Sequence, residues 1–250
     1  MKPDTAVIEP RRGKREEALP PLGILAFVPQ DLDLLLGSLP GSPKRSHRIF
    51  LTDVFTCAYH DIPLAVAGPM LGAPQAVMVL EKLIALGVHT AVAIGWCGSL
   101  QSHVHIGDVV LPVGTLSEEG TSGHYPIPVP PAPAFELLSL LRGECEKRRL
   151  RIHEGRVWTT DAPYRETVGK VLKYHQEGIL AVDMESSALF TAAEFRGIRM
   201  AMALAVSDEL AGLEWRHGFR NPRLQQAREK LVQVVLEAVC AKDRMISSPS

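Results

Sequence analysis

A strand–helix–strand pattern between residues 62 and 98 constrains the fold more than any other part of the chain. Residues 62–67 form a short apolar run, and a helical pattern starts near Pro74, a residue that fits the first turn of a helix. Gly87 is placed to end this helix, and a second apolar run, residues 90–94, follows at once. The apolar residues between them recur at helical spacing: Ala76, Val77, Leu80, Leu83 and Ile84. Short connections of this kind predict parallel strands covered by helices.

The same alternation continues along the chain and predicts one α/β domain. Further strands are predicted at residues 22–28, 49–58, 106–113, 152–159, 178–182 and 198–206. Further helices are predicted at residues 31–36, 134–148 and 164–174, in a segment that opens after Glu185, and from Asn221-Pro222 onward. We therefore predict a single domain over residues 21–245, with a central mixed, largely parallel sheet flanked by helices. Residues 1–20 are polar and are predicted to be a solvated arm.

Two segments rich in Gly, Pro and Ser are predicted to be loops. Residues 39–48 carry four basic or histidine side chains, and residues 114–133 are long for a plain connection. The second loop has the length of a lid or a substrate loop.

The composition limits the classes of partner. Hydrophobic residues make up 46% of the chain and charged residues 22%, with a net charge of −1, which argues against a general nucleic-acid or membrane-surface binder. No run of about 18 apolar residues exists, so no transmembrane helix is predicted. The charged N-terminus lacks the apolar core of a signal peptide, so we expect a cytoplasmic protein. The four cysteines form no C-x-x-C pair and His103 and His105 lack a third ligand nearby, so we predict reduced thiols and no metal site.

Polar residues at the start of a helical pattern mark a candidate binding site. Met184 and Glu185 follow the short strand pattern of residues 178–182. The helix dipole favours a negative charge in a first turn, and an ionised carboxylate fixed there can accept two hydrogen bonds from a vicinal diol such as a ribose. Met184 offers a polarizable apolar surface to a sugar face. The alternative is that Glu185 only stabilises the start of the helix.

Four sequence blocks, in order, resemble the purine nucleoside phosphorylase and uridine phosphorylase family. They are IGWCGSL at residues 94–100 with IGDVV at 106–110, TTDAPY at 159–164, MESSAL at 184–189 and AVSDE at 205–209. The resemblance covers roughly residues 20–240. It implies that the chain cleaves the N-glycosidic bond of a nucleoside with phosphate as the nucleophile, and that it needs no other cofactor. Because sites of this family borrow residues across an interface, it also implies a homodimer or an assembly of dimers.

The resemblance assigns roles to residues around the scissile bond. Met184 and Glu185 would hold the ribose, and Asp208, after the buried run of residues 198–206, would protonate or hydrogen-bond the leaving base. The alternative for Asp208 is a helix cap or a turn residue. Pro163 and Tyr164 would lie near the base. Arg165 would bond a base carbonyl, or it would be a surface arginine.

The expected phosphate site departs from the family pattern. Four positions differ: Phe27 replaces a glycine, Asp31 an arginine, Ala93 an arginine and Trp96 a hydroxyl residue. Gly95, Trp96 and Arg48 remain as candidates for the anion pocket, and in relatives the residue matching Arg48 reaches the phosphate of the neighbouring subunit. Phosphate is a dianion that favours bidentate arginines, so we expect weak phosphate binding here, with Asp31 repelling the anion and Trp96 capping its space.

The sequence thus predicts an enzyme, a pentosyltransferase of nucleoside metabolism that acts on a purine nucleoside or a close analogue. Two alternatives remain open. The first is a nucleosidase that uses water in the same pocket. The second is a non-catalytic homologue that binds a nucleoside.

Overall fold

The two longest strands of the described chain are also among its most apolar segments, and they lie side by side at the centre of the sheet. β5 (Thr90–Ser99) and β9 (Arg199–Glu209) pair in parallel along their whole length, from Thr90 opposite Arg199 to Ser99 opposite Glu209. Nearly every residue of both strands is buried. Burial on both faces is expected where helices cover both sides of a sheet.

A computed structural model describes residues 6–247, and within this range ten strands and six helices form one mixed sheet with helices on both faces. The other strands are β1 (Leu22–Ala26), β2 (Lys44–Ile49), β3 (Thr52–Tyr59), β4 (Ile62–Gly68), β6 (Val109–Ser117), β7 (Ile152–Thr159), β8 (Ala181–Asp183) and β10 (Arg216–His217). The helices are α1 (Pro29–Gly37), α2 (Gly72–Leu86), α3 (Phe135–Lys147), α4 (Val168–Gln176), α5 (Ser186–Arg196) and α6 (Pro222–Ser247). The strand order is β10-β9-β6-β7-β8-β5-β1-β4-β3-β2.

Because β9 pairs with β5 as well as with β6, five strands close into a ring. The ring runs from β5 through β8, β7 and β6 to β9 and back to β5. The longest pairings, β5 with β9 and β6 with β7, are parallel, while β2, β3 and β4 form an antiparallel meander at one edge. The predicted fold class, a mixed and largely parallel sheet flanked by helices, is confirmed.

Helices seal the sheet on both faces through separate apolar cores. One core joins α2 and α5 to the sheet, and the other joins α1, α3 and α6 to the opposite face. A smaller cluster around the buried Trp158 packs α4 against the end of β7. The end of α2 is set by Gly87, whose φ of 126° favours glycine and where a Cβ would lie 2.8 Å from the carbonyl oxygen of Leu19.

Several boundaries differ from the sequence prediction. Residues 44–48, predicted as loop, belong to the edge strand β2, in which five consecutive polar residues leave no apolar face. The strand predicted at residues 49–58 is divided at Phe50, which has a positive φ of 55° in the turn between β2 and β3. β6 starts at Val109 and continues into the predicted loop as far as Ser117. A short 3-10 turn at Pro163–Arg165 precedes α4, which begins at Val168 rather than at residue 164.

The N-terminal segment is only partly described, since residues 1–5 of the predicted arm lie outside the described residues. Residues 6–20 have no helix or strand, but they lie against the domain. Lys82 of α2 donates to the carbonyl oxygen of Arg11 and to Glu16, and Leu19 is buried. Within the described range, none of the helices combines the length and apolarity needed to cross a membrane.

Candidate active site

A cavity of about 940 Å³ opens where β1, β4, β5, β8 and β9 end. Residues after β1 and β4 form one wall, and the last residues of β5 and β9 form its floor. This is the position at which open α/β sheets bind ligands. Gly95 to Gly98 and Ser207-Asp208, which the sequence placed in loops after strands, lie inside β5 and β9 because the two strands stay paired to Ser99 and Glu209.

Glu185 lies at the start of α5, as predicted, and is buried. The backbone N–H of Gly72, at the start of α2, donates to Glu185 Oε1 at 2.7 Å. Met184 lines the cavity beside it. The carboxyl group is therefore held by a second helix, with its neighbour offering an apolar surface to a ligand.

A second buried carboxyl, Asp183, lies close to Glu185. Asp183 accepts hydrogen bonds from the hydroxyl of Thr159 at 2.7 Å, from the backbone N–H of Ser186 at 3.0 Å and from the Ser186 hydroxyl. Burial raises the pKa of Asp183, and these hydrogen bonds, which lower the pKa, offset only part of that rise. Burial, followed by repulsion from Asp183, raises the pKa of Glu185. A charge on either carboxyl therefore costs free energy, and a ligand that offers donors to Glu185 lowers this cost.

Asp208 lies on β9 opposite Gly98 of β5 and lines the cavity. The hydroxyl of Ser207 donates to Asp208 Oδ1 at 2.6 Å, and the indole N–H of Trp215 donates to Oδ2 at 2.9 Å. A Cβ at Gly98 would lie 2.9 Å from Asp208 Oδ2, so the absence of a side chain on β5 leaves room for this carboxylate.

The three residues predicted to contact the base form the 3-10 turn at Pro163–Arg165. Pro163 and Tyr164 line the cavity, with the Tyr164 side chain 97% exposed at its mouth. Arg165 is exposed and is not among the lining residues, because the turn directs the next residue, Glu166, toward the cavity instead. Burial, with a contribution from Asp208, raises the pKa of Glu166 to about 7. No pattern in the sequence singled out Glu166.

Of the residues predicted for the anion pocket, Arg48 lies apart from Gly95 and Trp96. Gly95 is in contact with Phe27, since a Cβ there would lie 2.4 Å from the Phe27 ring. Trp96 lines the cavity and stacks on Phe219, with ring centres 5.9 Å apart. Arg48 is exposed on the edge strand β2, 3.8 Å from Asp53, and does not line the cavity. The anion pocket as predicted is not assembled within one chain.

The predicted repulsion by Asp31 requires a correction. Asp31 is completely buried under α6, does not line the cavity, and pairs with Arg228, whose Nε donates to Asp31 Oδ1 at 2.6 Å. Burial raises the pKa of Asp31, opposed by Arg228 and by the indole N–H of Trp96. The guanidinium of Arg228 also lies 5.1 Å from the centre of the Trp96 ring. Asp31 therefore pairs with Arg228 and does not face an anion.

The ionisable side chains of the cavity are mainly acidic. Its charged lining residues, within the part of the chain that the structure describes, are Glu166, Asp183, Glu185 and Asp208, and no lysine or arginine joins them. Aromatic rings supply much of the remaining wall: Phe27, Trp96, Tyr164, Trp215 and Phe219. Such a surface suits a flat, apolar ring system and a centre that becomes positively charged.

Fold and cavity together define an α/β protein that binds a small molecule at the ends of its parallel strands. The chain belongs to the phosphorylase superfamily, whose sequence model matches residues 21–239. The family resemblance inferred from the four sequence blocks is therefore confirmed.

Individual relatives support the same assignment. The chain is similar to a guanosine phosphorylase of Halorubrum lacusprofundi, with 28% identity over 221 residues, or 81% of this chain and 92% of the relative. It is 32% identical over 190 residues to a DeoD-type purine nucleoside phosphorylase of Bacillus thuringiensis, covering 69% and 80% of the two chains.

Solved structures share the fold at lower identity. A uridine phosphorylase from Vibrio fischeri has a TM-score of 0.82 at 21% identity, covering 91% of this chain and 99% of its own. A purine nucleoside phosphorylase from Toxoplasma gondii has a TM-score of 0.83 at 21% identity, covering 91% and 93%.

Glu185→Gln should stabilise the protein, and more so at pH 8 than at pH 5. Because the pKa of Glu185 rises from 4.5 to about 8 on folding, the native state binds more protons than the unfolded state between these pH values. Stability is then lost as the pH rises through this window, and glutamine removes the loss. We expect a gain in Tm of at least about 2 °C at pH 8, measured by calorimetry. The exposed Glu177→Gln is the control, and a gain independent of pH would contradict the buried-charge argument.

Arg228→Met should destabilise the protein by about 3 kcal/mol or more, because it leaves Asp31 buried without a partner. The double variant Asp31→Leu with Arg228→Met removes both charges and should recover most of that loss, as judged by urea unfolding. If the double variant is as unstable as the single one, shape rather than charge explains the effect of Arg228.

Proposed function

We propose that this protein is a nucleoside phosphorylase that cleaves the N-glycosidic bond of a purine nucleoside with inorganic phosphate as the acceptor. The observation that carries the proposal is one cavity in which Glu185 and Met184 lie at a helix start and Asp208 lies on the neighbouring floor strand. Membership of the phosphorylase superfamily and the names of the relatives support it.

Glu185 is proposed to hold the ribose. Its carboxylate, oriented by the Gly72 N–H, accepts hydrogen bonds from the two ring hydroxyls, while Met184 lies against the sugar. Asp208 and the side chains of Pro163 and Tyr164 then surround the base. As the C–N bond breaks, the sugar becomes oxocarbenium-like and positive. The acidic lining stabilises that charge, and a low-dielectric cavity strengthens the interaction.

A second candidate, hydrolysis by water, is favoured by one specific observation. No cationic side chain lines the cavity among the described residues, so a single chain offers phosphate no arginine to bind. Water carries no charge and would enter this acidic site without such help.

For the phosphorolytic reaction we propose that a second copy of the chain supplies the missing cation in a homodimer. Arg45 and Arg48 lie on the exposed edge strand β2, each with more than half of its side chain accessible.

We further propose that the reaction needs no cofactor beyond phosphate and takes place in the cytoplasm. Full activity after dialysis against EDTA and recovery of the activity in the cytoplasmic fraction would test these two points.

A nucleoside panel assayed with and without phosphate should show release of free base only when phosphate is present, with guanosine and inosine ahead of uridine. Release at the same rate in both conditions would establish the hydrolytic alternative, and binding without release would establish a non-catalytic protein.

Glu185→Gln should lower kcat/KM by ~10²-fold or more, because a contact made in the transition state is lost. Near-normal turnover in this variant would remove Glu185 from the ribose site.

The shared site predicts a mass of twice that of one chain by light scattering. Arg48→Ala should keep that mass and raise the KM for phosphate by about tenfold or more, since a charge-assisted hydrogen bond is lost. Lys230→Ala, which removes an exposed cation from α6, is the control. A fully active monomer, or an Arg48→Ala variant with unchanged KM, would refute the shared site.

A further inference from the structure

We propose that Glu166 supplies the proton taken up by the leaving base, and that Asp208 beside it acts as a hydrogen-bond acceptor. This assignment rests on the proposed cleavage of a nucleoside and adds a catalytic residue to it.

Glu166 is placed for this role by the short turn that precedes α4. It follows the 3-10 turn at Pro163–Arg165, and its backbone N–H donates to the carbonyl oxygen of Pro163 at 3.3 Å. The side chain is partly buried and lines the same cavity as Asp208. Its carboxyl has no hydrogen bond or ion pair with another described residue, so it is available to a ligand.

Asp208 has the opposite environment. Both of its oxygens already accept hydrogen bonds, one from Ser207 at 2.6 Å and the other from the Trp215 indole at 2.9 Å. The Ser207 hydroxyl donates either to Asp208 or, at 3.3 Å, to the carbonyl oxygen of Cys97, whereas neither oxygen of Glu166 has a donor among the described residues. Two carboxyl groups whose surroundings differ in this way commonly divide the roles of acid and base.

The charges around Glu166 favour its protonated form. Asp208 on β9 is the charged group that acts on it, and Asp183 and Glu185 carry further acidic groups in the same cavity. On its own segment Arg165 is exposed, and no described cation lines the cavity to offset these charges. Burial first and Asp208 second raise the pKa of Glu166 to about 7, which is the range in which a general acid works best near neutral pH.

The proposed step balances as follows. The proton of the Glu166 carboxyl passes to a ring nitrogen of the base. The electron pair of the breaking C–N bond stays with the base, and a phosphate oxygen forms the new bond to the anomeric carbon. Glu166 is left as a carboxylate and regains a proton from bulk water after the products leave.

Two substrates separate this role from a structural one. Guanosine needs a proton to leave, whereas 7-methylguanosine carries a fixed positive charge on the base and leaves without one. With inorganic phosphate present, Glu166→Gln should lower kcat for guanosine by ~10²-fold or more and change that for 7-methylguanosine by less than about threefold. The wild-type rate on guanosine should fall as the pH rises above about 7, and this limb should disappear in Glu166→Gln. The exposed Glu177→Gln serves as the matched control, and thermal unfolding checks that each variant is folded.

Equal losses on both substrates, or an unchanged alkaline limb in Glu166→Gln, would overturn the assignment. Asp208→Asn provides a second comparison, and a selective loss on guanosine in that variant but not in Glu166→Gln would move the proton to Asp208.

A carbon-13 NMR titration of the glutamate carboxyls, with Glu166→Gln giving the resonance assignment, tests the site without catalysis. A midpoint near pH 7 supports the proposal, and one near 4.5 overturns it. Failure of the wild-type protein to cleave any nucleoside would instead refute the proposed function.

Discussion

The parallel pairing of β5 with β9 is the constraint on which the site depends. It joins two buried strands from Thr90–Arg199 to Ser99–Glu209, with a one-residue register shift between Cys97 and Gly98, and it closes the five-stranded ring. Beyond this shift Gly98 lies opposite Asp208, where the missing side chain makes room for the carboxylate. A further shift of one residue would place a different residue opposite Asp208, and its side chain would occupy this space. The position of the Asp208 carboxylate is therefore fixed by the core.

The acidic side chains that line the cavity lower the stability of the native state, but they also suit a ligand that becomes positively charged. Four carboxyls share an apolar cavity, and burial raises the pKa of three of them, Glu166, Asp183 and Glu185. Residues that hold charge against their surroundings lower the stability of the native state. In the proposed reaction the same arrangement would stabilise the positive charge that develops on the sugar, since Glu185 and Asp183 are already oriented by Gly72, Thr159 and Ser186. A phosphate ion is itself negative, so the same acidic side chains would disfavour its binding to a single chain.

Much of the fold was predictable because strong local patterns agreed with the final structure. The strand–helix–strand unit around α2, the strand Ile152–Thr159 and the position of Glu185 at a helix start were all predicted from apolar spacing. β2 was missed because an exposed edge strand has no apolar face. Asp31 was misjudged because its partner Arg228 lies 197 residues away, a distance over which single-sequence patterns carry no information. Glu166 was missed for a related reason, since its proposed role depends on a turn that brings it into the same cavity as Asp208.

The ion pair between Asp31 and Arg228 also has a consequence for biosynthesis. Asp31 lies in α1 and Arg228 in α6, so Asp31 is synthesised 197 residues before its partner. Until α6 is made, the position of Asp31 would hold a charge without a counterion, which disfavours docking of α1 against the sheet. We therefore expect α1 to dock stably on the sheet only after α6 has been synthesised. A chain truncated before α6 should expose apolar surface and be bound by chaperones or degraded by proteases.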